Sequence, residues 1–193
     1  MLVIGFGHRA RQGKNTAAVA MMNAAPIGHG GRICAFADEL RREVIHEVNL
    51  AGGVQEFIDK IGAPSWVHAE PGGAKQRTLL QWYGTNYRRA QDPNYWVGRL
   101  QARLQFENPP MALITDVRFP NECEAVHAMG GYLVKVVRTT PPDVDVPPHP
   151  SECALDGYTG WDYTLTAATL PELRAAARAL YAEIAKRGPR AIS

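Results

Sequence analysis

Leu2-Val-Ile-Gly-Phe-Gly-His-Arg-Ala-Arg-Gln-Gly-Lys-Asn-Thr16 is the stretch that decides the fold of this 193-residue chain. Leu2 to Phe6 is a short apolar run bounded by glycine, the pattern of a strand buried in a parallel sheet. A polar loop follows, and Thr16 to Ala24 reads as a helix rich in Ala and Met. Strand, glycine-containing loop and helix, in that order, point backbone N–H groups and a helix N-terminus at one anion. Gly13 lets the backbone approach a phosphate closely. Lys14 can reach β- and γ-phosphates, and the Thr16 hydroxyl is placed to hold Mg²⁺. Arg9, Ala10, Arg11, Gln12 and Asn15 fill out the candidate loop. It departs from G-x-x-x-x-G-K-[ST] twice: His8 stands at the first glycine position, and Asn15 separates Lys14 from Thr16.

Outward from this stretch, strand and helix patterns alternate. Arg32 to Phe36, Met111 to Thr115, Tyr132 to Val137 and Asp162 to Leu165 read as strands. About Asp38 to Leu50, Asn121 to Met129 and Leu170 to Arg187 read as helices. Alternation of this kind implies an α/β fold, a parallel sheet of about five strands with helices on both faces. From about Val54 to Glu107 no strand pattern is seen, only helical stretches punctuated at Gly62-Ala-Pro64, Pro71-Gly-Gly73, Gly84-Thr85 and Asp92-Pro93. Thr139 to Pro150 holds five prolines and reads as a loop or lid. The expected organisation is one domain over 1–193, with a core of 1–50 and 108–193, a helical insertion of about 51–107 and a lid of about 138–155.

Composition excludes several classes. Apolar residues make up 46% and charged residues 21% of the chain, enough for a sizeable core and unlike a disordered segment. No apolar run approaches the length of a membrane span. Cys34, Cys123 and Cys153 are odd in number and widely spaced, as expected of reduced thiols in a cytoplasmic protein. The formal net charge of +2 does not suit a coat for nucleic-acid polymers. The basic residues are sixteen Arg against five Lys, however, and Arg grips phosphate bidentately.

The loop, with its shifted Gly13-Lys-Asn-Thr16, resembles that of the phage-type deoxynucleoside monophosphate kinases within the P-loop superfamily. That loop commonly reads Gly-Lys-Asp-Thr. The resemblance continues through Phe36-Ala-Asp-Glu-Leu40, Leu80-Gln-Trp-Tyr-Gly-Thr-Asn-Tyr-Arg-Arg89, Asp92-Pro-Asn-Tyr-Trp-Val97, Thr115-Asp-Val-Arg-Phe-Pro-Asn-Glu122 and His149-Pro-Ser-Glu152. These blocks run in family order over about three quarters of the chain. The resemblance implies ATP and Mg²⁺ as cofactors and a deoxynucleoside monophosphate as acceptor. It also implies that the helical insertion binds the monophosphate and that Arg138, His149 and Glu152 belong to a lid. Members of the family tend to dimerise. If the chain is viral, the expected compartment is the host cytoplasm.

The residues themselves fit such chemistry. Two polyanions must be brought together, so cations and positioning supply most of the catalysis. Ligands of open α/β sheets sit outside the carboxyl ends of strands, where Asp116 and Arg118 fall. Asp116 reads either as a metal-side carboxylate or as a cap of the next helix, and Arg118 as a grip on the acceptor or transferring phosphate. The resemblance implies Phe36, Asp38, Arg41, Gln81, Trp82, Arg88, Asp92 and Trp96 as candidate acceptor contacts. Asp38 reads equally as a helix cap, Arg88 and Arg89 as a solvated face, His149 as a surface residue, and the aromatics as core. Two alternatives stay open: a P-loop kinase of another phosphorylated acceptor, of the phosphomevalonate or dephospho-coenzyme A type, and a non-catalytic nucleotide-binding switch.

Overall fold

The computed structural model describes residues 1–26, 30–68, 76–139 and 153–191. It divides into two compact units, one of Met1–Ala35 with Arg103–Ser193 and one of Phe36–Ala102. The first unit carries a sheet of five strands, β1 (Leu2–Gly7), β2 (Gly31–Cys34), β3 (Met111–Val117), β4 (Tyr132–Arg138) and β5 (Tyr163–Ala167). Their order is β2-β3-β1-β4-β5, and every neighbouring pair is parallel. This is the flanked parallel sheet expected from the alternating pattern, and it fits a kinase-like α/β fold of the P-loop type.

Helices α1 (Lys14–Met22), α7 (Pro120–Ala128) and α8 (Leu170–Arg187) belong to the same unit. Ile4 and Phe6 of β1, Leu113 of β3 and Val134 and Val136 of β4 alternate onto one face, where they pack with α1 and α8 through Ala17, Met21, Leu173, Ala177 and Ile184. The residues between them point the other way: a side-chain carbon at Gly5 would come within 2.9 Å of Val126 on α7. Period-two alternation with both faces covered is why these strands read as unbroken apolar runs. Each fully buried Ile, Leu or Phe contributes about 1.5–3 kcal/mol.

The second unit is helical: α2 (Phe36–Ala51), α3 (Val54–Lys60), α4 (Arg77–Gln81), a π-helical segment (Trp82–Arg88), α5 (Arg89–Gln91) and the start of α6 (Tyr95–Glu107). Two expectations change. Gly84-Thr85 is no break, because the chain runs helically from α4 through the π segment into α5. A side-chain carbon at Gly84 would come within 2.8 Å of Leu40 Cδ2, so close packing rather than a turn explains the glycine. The third strand also continues past Thr115, so Asp116 lies inside β3 and does not cap α7. No helix among the described residues is long and apolar enough to cross a membrane.

Candidate functional site

Within the first unit, the loop from Gly7 to Gly13 emerges at the carboxyl end of β1, between two neighbours. Gly7 is in register with Val117 of β3 on one side and with Lys135 of β4 on the other. The sheet therefore brings the loop beside Asp116 and Arg118, and beside the end of β4. On that second side the Gln12 side-chain oxygen accepts a hydrogen bond from the Arg138 backbone N–H at 2.6 Å.

The loop backbone is unusual. His8, Arg11 and Gly13 have positive φ values of 88°, 56° and 92°. His8 thus adopts, at the first glycine position of the motif, a conformation that glycine enters freely and other residues enter at a cost. At Gly13 a side chain is excluded twice, by φ and by Leu173 Cδ2, which would lie 2.6 Å from its Cβ. Gly13 is also the N-cap of α1, so no side chain caps that helix, and its first turn holds no acidic residue. A carboxylate there would compete with an incoming phosphate for the same N–H groups.

Lys14 is buried, and its ammonium folds back over the loop, donating to the carbonyl oxygens of His8 at 3.1 Å and Arg9 at 2.6 Å. Arg9 is exposed and grips Asp156 with two parallel bonds, Nε to Oδ1 at 3.1 Å and Nη2 to Oδ2 at 2.8 Å. The Arg9 hydrogen bonds hold the Asp156 carboxyl below its ordinary range. Burial, and then the charge of Lys135, lowers the His8 pKa. Ala10 and Arg11 line the same loop, while Asn15 is exposed and Thr16 half-buried in the first turn of α1.

Asp116 and Arg118 are both half-buried at the end of β3. The turn into α7 is held by Glu122, whose buried carboxylate accepts the backbone N–H of Arg118 at 2.7 Å and of Phe119 at 3.1 Å. Sequence reasoning missed this role, although Pro at the first helical position followed by Glu at the third is a helix-start signal. Among the described residues no group of three or more His, Cys, Asp or Glu side chains could hold a metal alone. One hydroxyl and one carboxylate, Thr16 and Asp116, nevertheless suit Mg²⁺, which takes one or two protein oxygens and shares the rest with phosphates and water.

Every candidate acceptor contact except Arg118 falls in the second unit. Phe36 opens α2 and is buried, and Asp38, in the first turn of that helix, pairs with Arg41 at 3.0 Å. Gln81 and Trp82 stand half-buried where α4 passes into the π segment. Trp82 lies 5.6 Å, centroid to centroid, from Tyr87, which stacks on Tyr83 at 5.2 Å. Trp96 is buried in the unit's interior and donates from Nε1 to the Gly84 carbonyl. Asp92 Oδ1 accepts the Asn94 backbone N–H at 2.8 Å, fixing the turn into α6. Arg88 is not on a solvated face: it is bonded to Glu43, a buried residue of α2 that sequence reasoning also missed. The available signal was Glu39 and Glu43, one helical turn apart beside the apolar positions Phe36, Leu40 and Val44. His149 and Glu152 lie outside the described residues.

Fold and loop together define an α/β unit with a phosphate-loop-like junction after its first strand. No family model matches the chain. It is similar to a protein of Acanthamoeba polyphaga mimivirus that carries the provisional name deoxynucleotide monophosphate kinase, 34% identical over 105 aligned residues. The alignment covers 48% of this chain and 53% of the relative, so the chain spans about half that protein's length.

Proposed function

We propose that this chain is a deoxynucleoside monophosphate kinase that transfers the γ-phosphoryl group of ATP to a dNMP, giving dNDP and ADP. The observation that carries the reading is the junction of β1 and α1, where Gly13 leaves the helix without a side-chain cap and Lys14 is folded over the loop. The named relative supports the same class of acceptor.

In this reading Arg9, Arg11, Lys14 and the N–H groups of 9–16 bind the triphosphate. Mg²⁺, held through Thr16 and Asp116, supplies neutralisation of the β- and γ-phosphate charge when bound. An oxygen of the acceptor phosphate attacks the γ-phosphorus, and the bond from the β,γ-bridging oxygen to that phosphorus breaks. ADP leaves with the electron pair. The acceptor phosphate is already largely dianionic at neutral pH, so no protein base is needed. Lys14 and Arg118 offset the charge on the transferring group. Phe36, Asp38, Arg41, Gln81, Trp82, Arg88, Asp92 and Trp96 form or support the monophosphate site, and Arg138 begins the lid.

ADP release, measured with ATP and Mg²⁺ over a panel of ribo- and deoxynucleoside monophosphates, tests this. A steep rise with one or more deoxynucleotides is expected. No rise with any nucleoside monophosphate defeats the proposal, and a rise with phosphomevalonate or dephospho-coenzyme A alone would replace the acceptor.

A further inference from the structure

Glu43 is a buried carboxylate that the transfer reaction itself does not call upon. It lies on α2, is only 7% exposed, and collects donors from two other stretches of its unit, the π-helical segment and the start of α6. Its Oε1 accepts Tyr83 Oη at 2.8 Å and Arg88 Nε at 2.7 Å, with Arg88 Nη2 at 2.6 Å. Its Oε2 accepts Tyr95 Oη at 2.6 Å, and Arg99 Nη2 stands 3.9 Å away.

The guanidinium of Arg88 is half-buried beside it, the side chain 24% exposed. Its central carbon lies 4.9 Å from the ring centroid of Tyr95, 5.3 Å from that of Tyr83 and 5.6 Å from that of Tyr87. Removing a cation from water to this extent is costly unless it is paired and hydrogen-bonded, and Glu43 does both. The pairing also fixes one rotamer of a side chain that is otherwise among the most flexible. Nη2 is paired with Glu43 Oε1 and Nε shares its N–H between that oxygen and Tyr83 Oη at 3.0 Å, while no described residue accepts from Nη1.

We propose that Glu43 is a positioning residue for the acceptor: by holding Nε and Nη2 of Arg88, it sets the Nη1 edge for the phosphate of the monophosphate substrate. The inference rests on the kinase reading above. A buried ion pair that served folding alone would leave substrate affinity untouched, and a mobile arginine would gain little from three aromatic neighbours.

The test is steady-state kinetics of Glu43→Gln with the four common deoxynucleoside monophosphates. Gln keeps the shape and one acceptor oxygen but removes the charge. The expected result is a KM for the monophosphate raised tenfold or more, with the KM for ATP within twofold of wild type. Glu43→Asp, which restores the charge on a shorter stem, is expected to fall between. An active wild type whose folded Glu43→Gln variant keeps its monophosphate KM within twofold overturns the positioning role alone. A wild type that neither binds nor phosphorylates any of the four overturns the kinase reading and this inference together. Should Glu43→Gln fail to fold, Tyr95→Phe removes one donor to the carboxylate and keeps the ring. A threefold rise in monophosphate KM then supports the role, and an unchanged KM overturns it.

Discussion

The ammonium of Lys14 lies 2.6 Å from the carbonyl oxygen of Arg9, five residues back along the same loop. With its second bond to the His8 carbonyl, this contact braces the loop from within and gives a buried cation partners. The carbonyls carry only partial negative charge, so a phosphate can draw the ammonium away from them. Lys14→Ala is therefore expected to abolish phosphoryl transfer. Losing the two bonds costs about 1–3 kcal/mol of stability, which leaves the fold in place. Circular dichroism together with the ADP-release assay checks both halves, and near-normal turnover would remove Lys14 from the reaction.

Arg118 follows β3 directly and has its own backbone N–H tied to Glu122. An arginine whose backbone is anchored at the carboxyl end of a strand is suited to stabilising charge that develops only during transfer. Arg118→Ala is expected to lower kcat by at least about 10³, the scale found for arginines at transferring phosphoryl groups. Glu122→Ala should produce a smaller fall in kcat together with a stability loss of about 1–3 kcal/mol, because it strands two backbone N–H groups. A defect in Arg118→Ala confined to KM would make the arginine a ground-state binding residue instead.

These two residues also mark what could be read from the chain beforehand. The five strands were legible because both faces of the sheet are covered, so Val3, Ile4, Phe6 and their counterparts leave uninterrupted apolar runs. The junction of β1 and α1 was legible for a local reason: Gly13, Lys14 and Thr16 sit within one turn of each other. Asp116 was misplaced just beyond its strand because a carboxylate looks like a strand terminator, whereas its neighbour Val117 still pairs with Gly7. The Glu43 cluster was hidden because its hydrogen-bond partners lie 40 to 52 residues away and meet only through helix packing. The same holds for Asp156, which reaches Arg9 across 147 residues.

Gly13 carries two constraints at one atom, a φ of 92° and the side chain of Leu173. Gly13→Ala is expected to destabilise the protein by about 2 kcal/mol or more, combining left-handed strain with overpacking. Thermal unfolding measures this. Pairing it with Leu173→Ala separates the two causes, since the larger cavity relieves the clash and leaves the strain. A Gly13→Ala protein as stable as wild type would mean that the loop can be rebuilt without its glycine.

His8 has the opposite imbalance: a side chain where the backbone, at φ 88°, favours none. Its ring is mostly buried, and Nε2 stands 3.7 Å from Asp156, a weak contact to set against the strain. His8→Gly is thus expected to stabilise the fold by about 1 kcal/mol, or about 2–4 °C in Tm. The pH dependence has a definite sign. Burial and the nearby Lys135 charge lower the folded-state pKa of His8 below its ordinary 6.5, so the unfolded chain takes up the proton first. The stability at stake is fully present above pH 6.5 and is lost as pH falls from there toward the folded-state value. Tm measured from pH 7.5 to 5 should accordingly fall less steeply in His8→Gly than in wild type. Parallel curves would mean that the ring protonates as readily in the folded loop as in water.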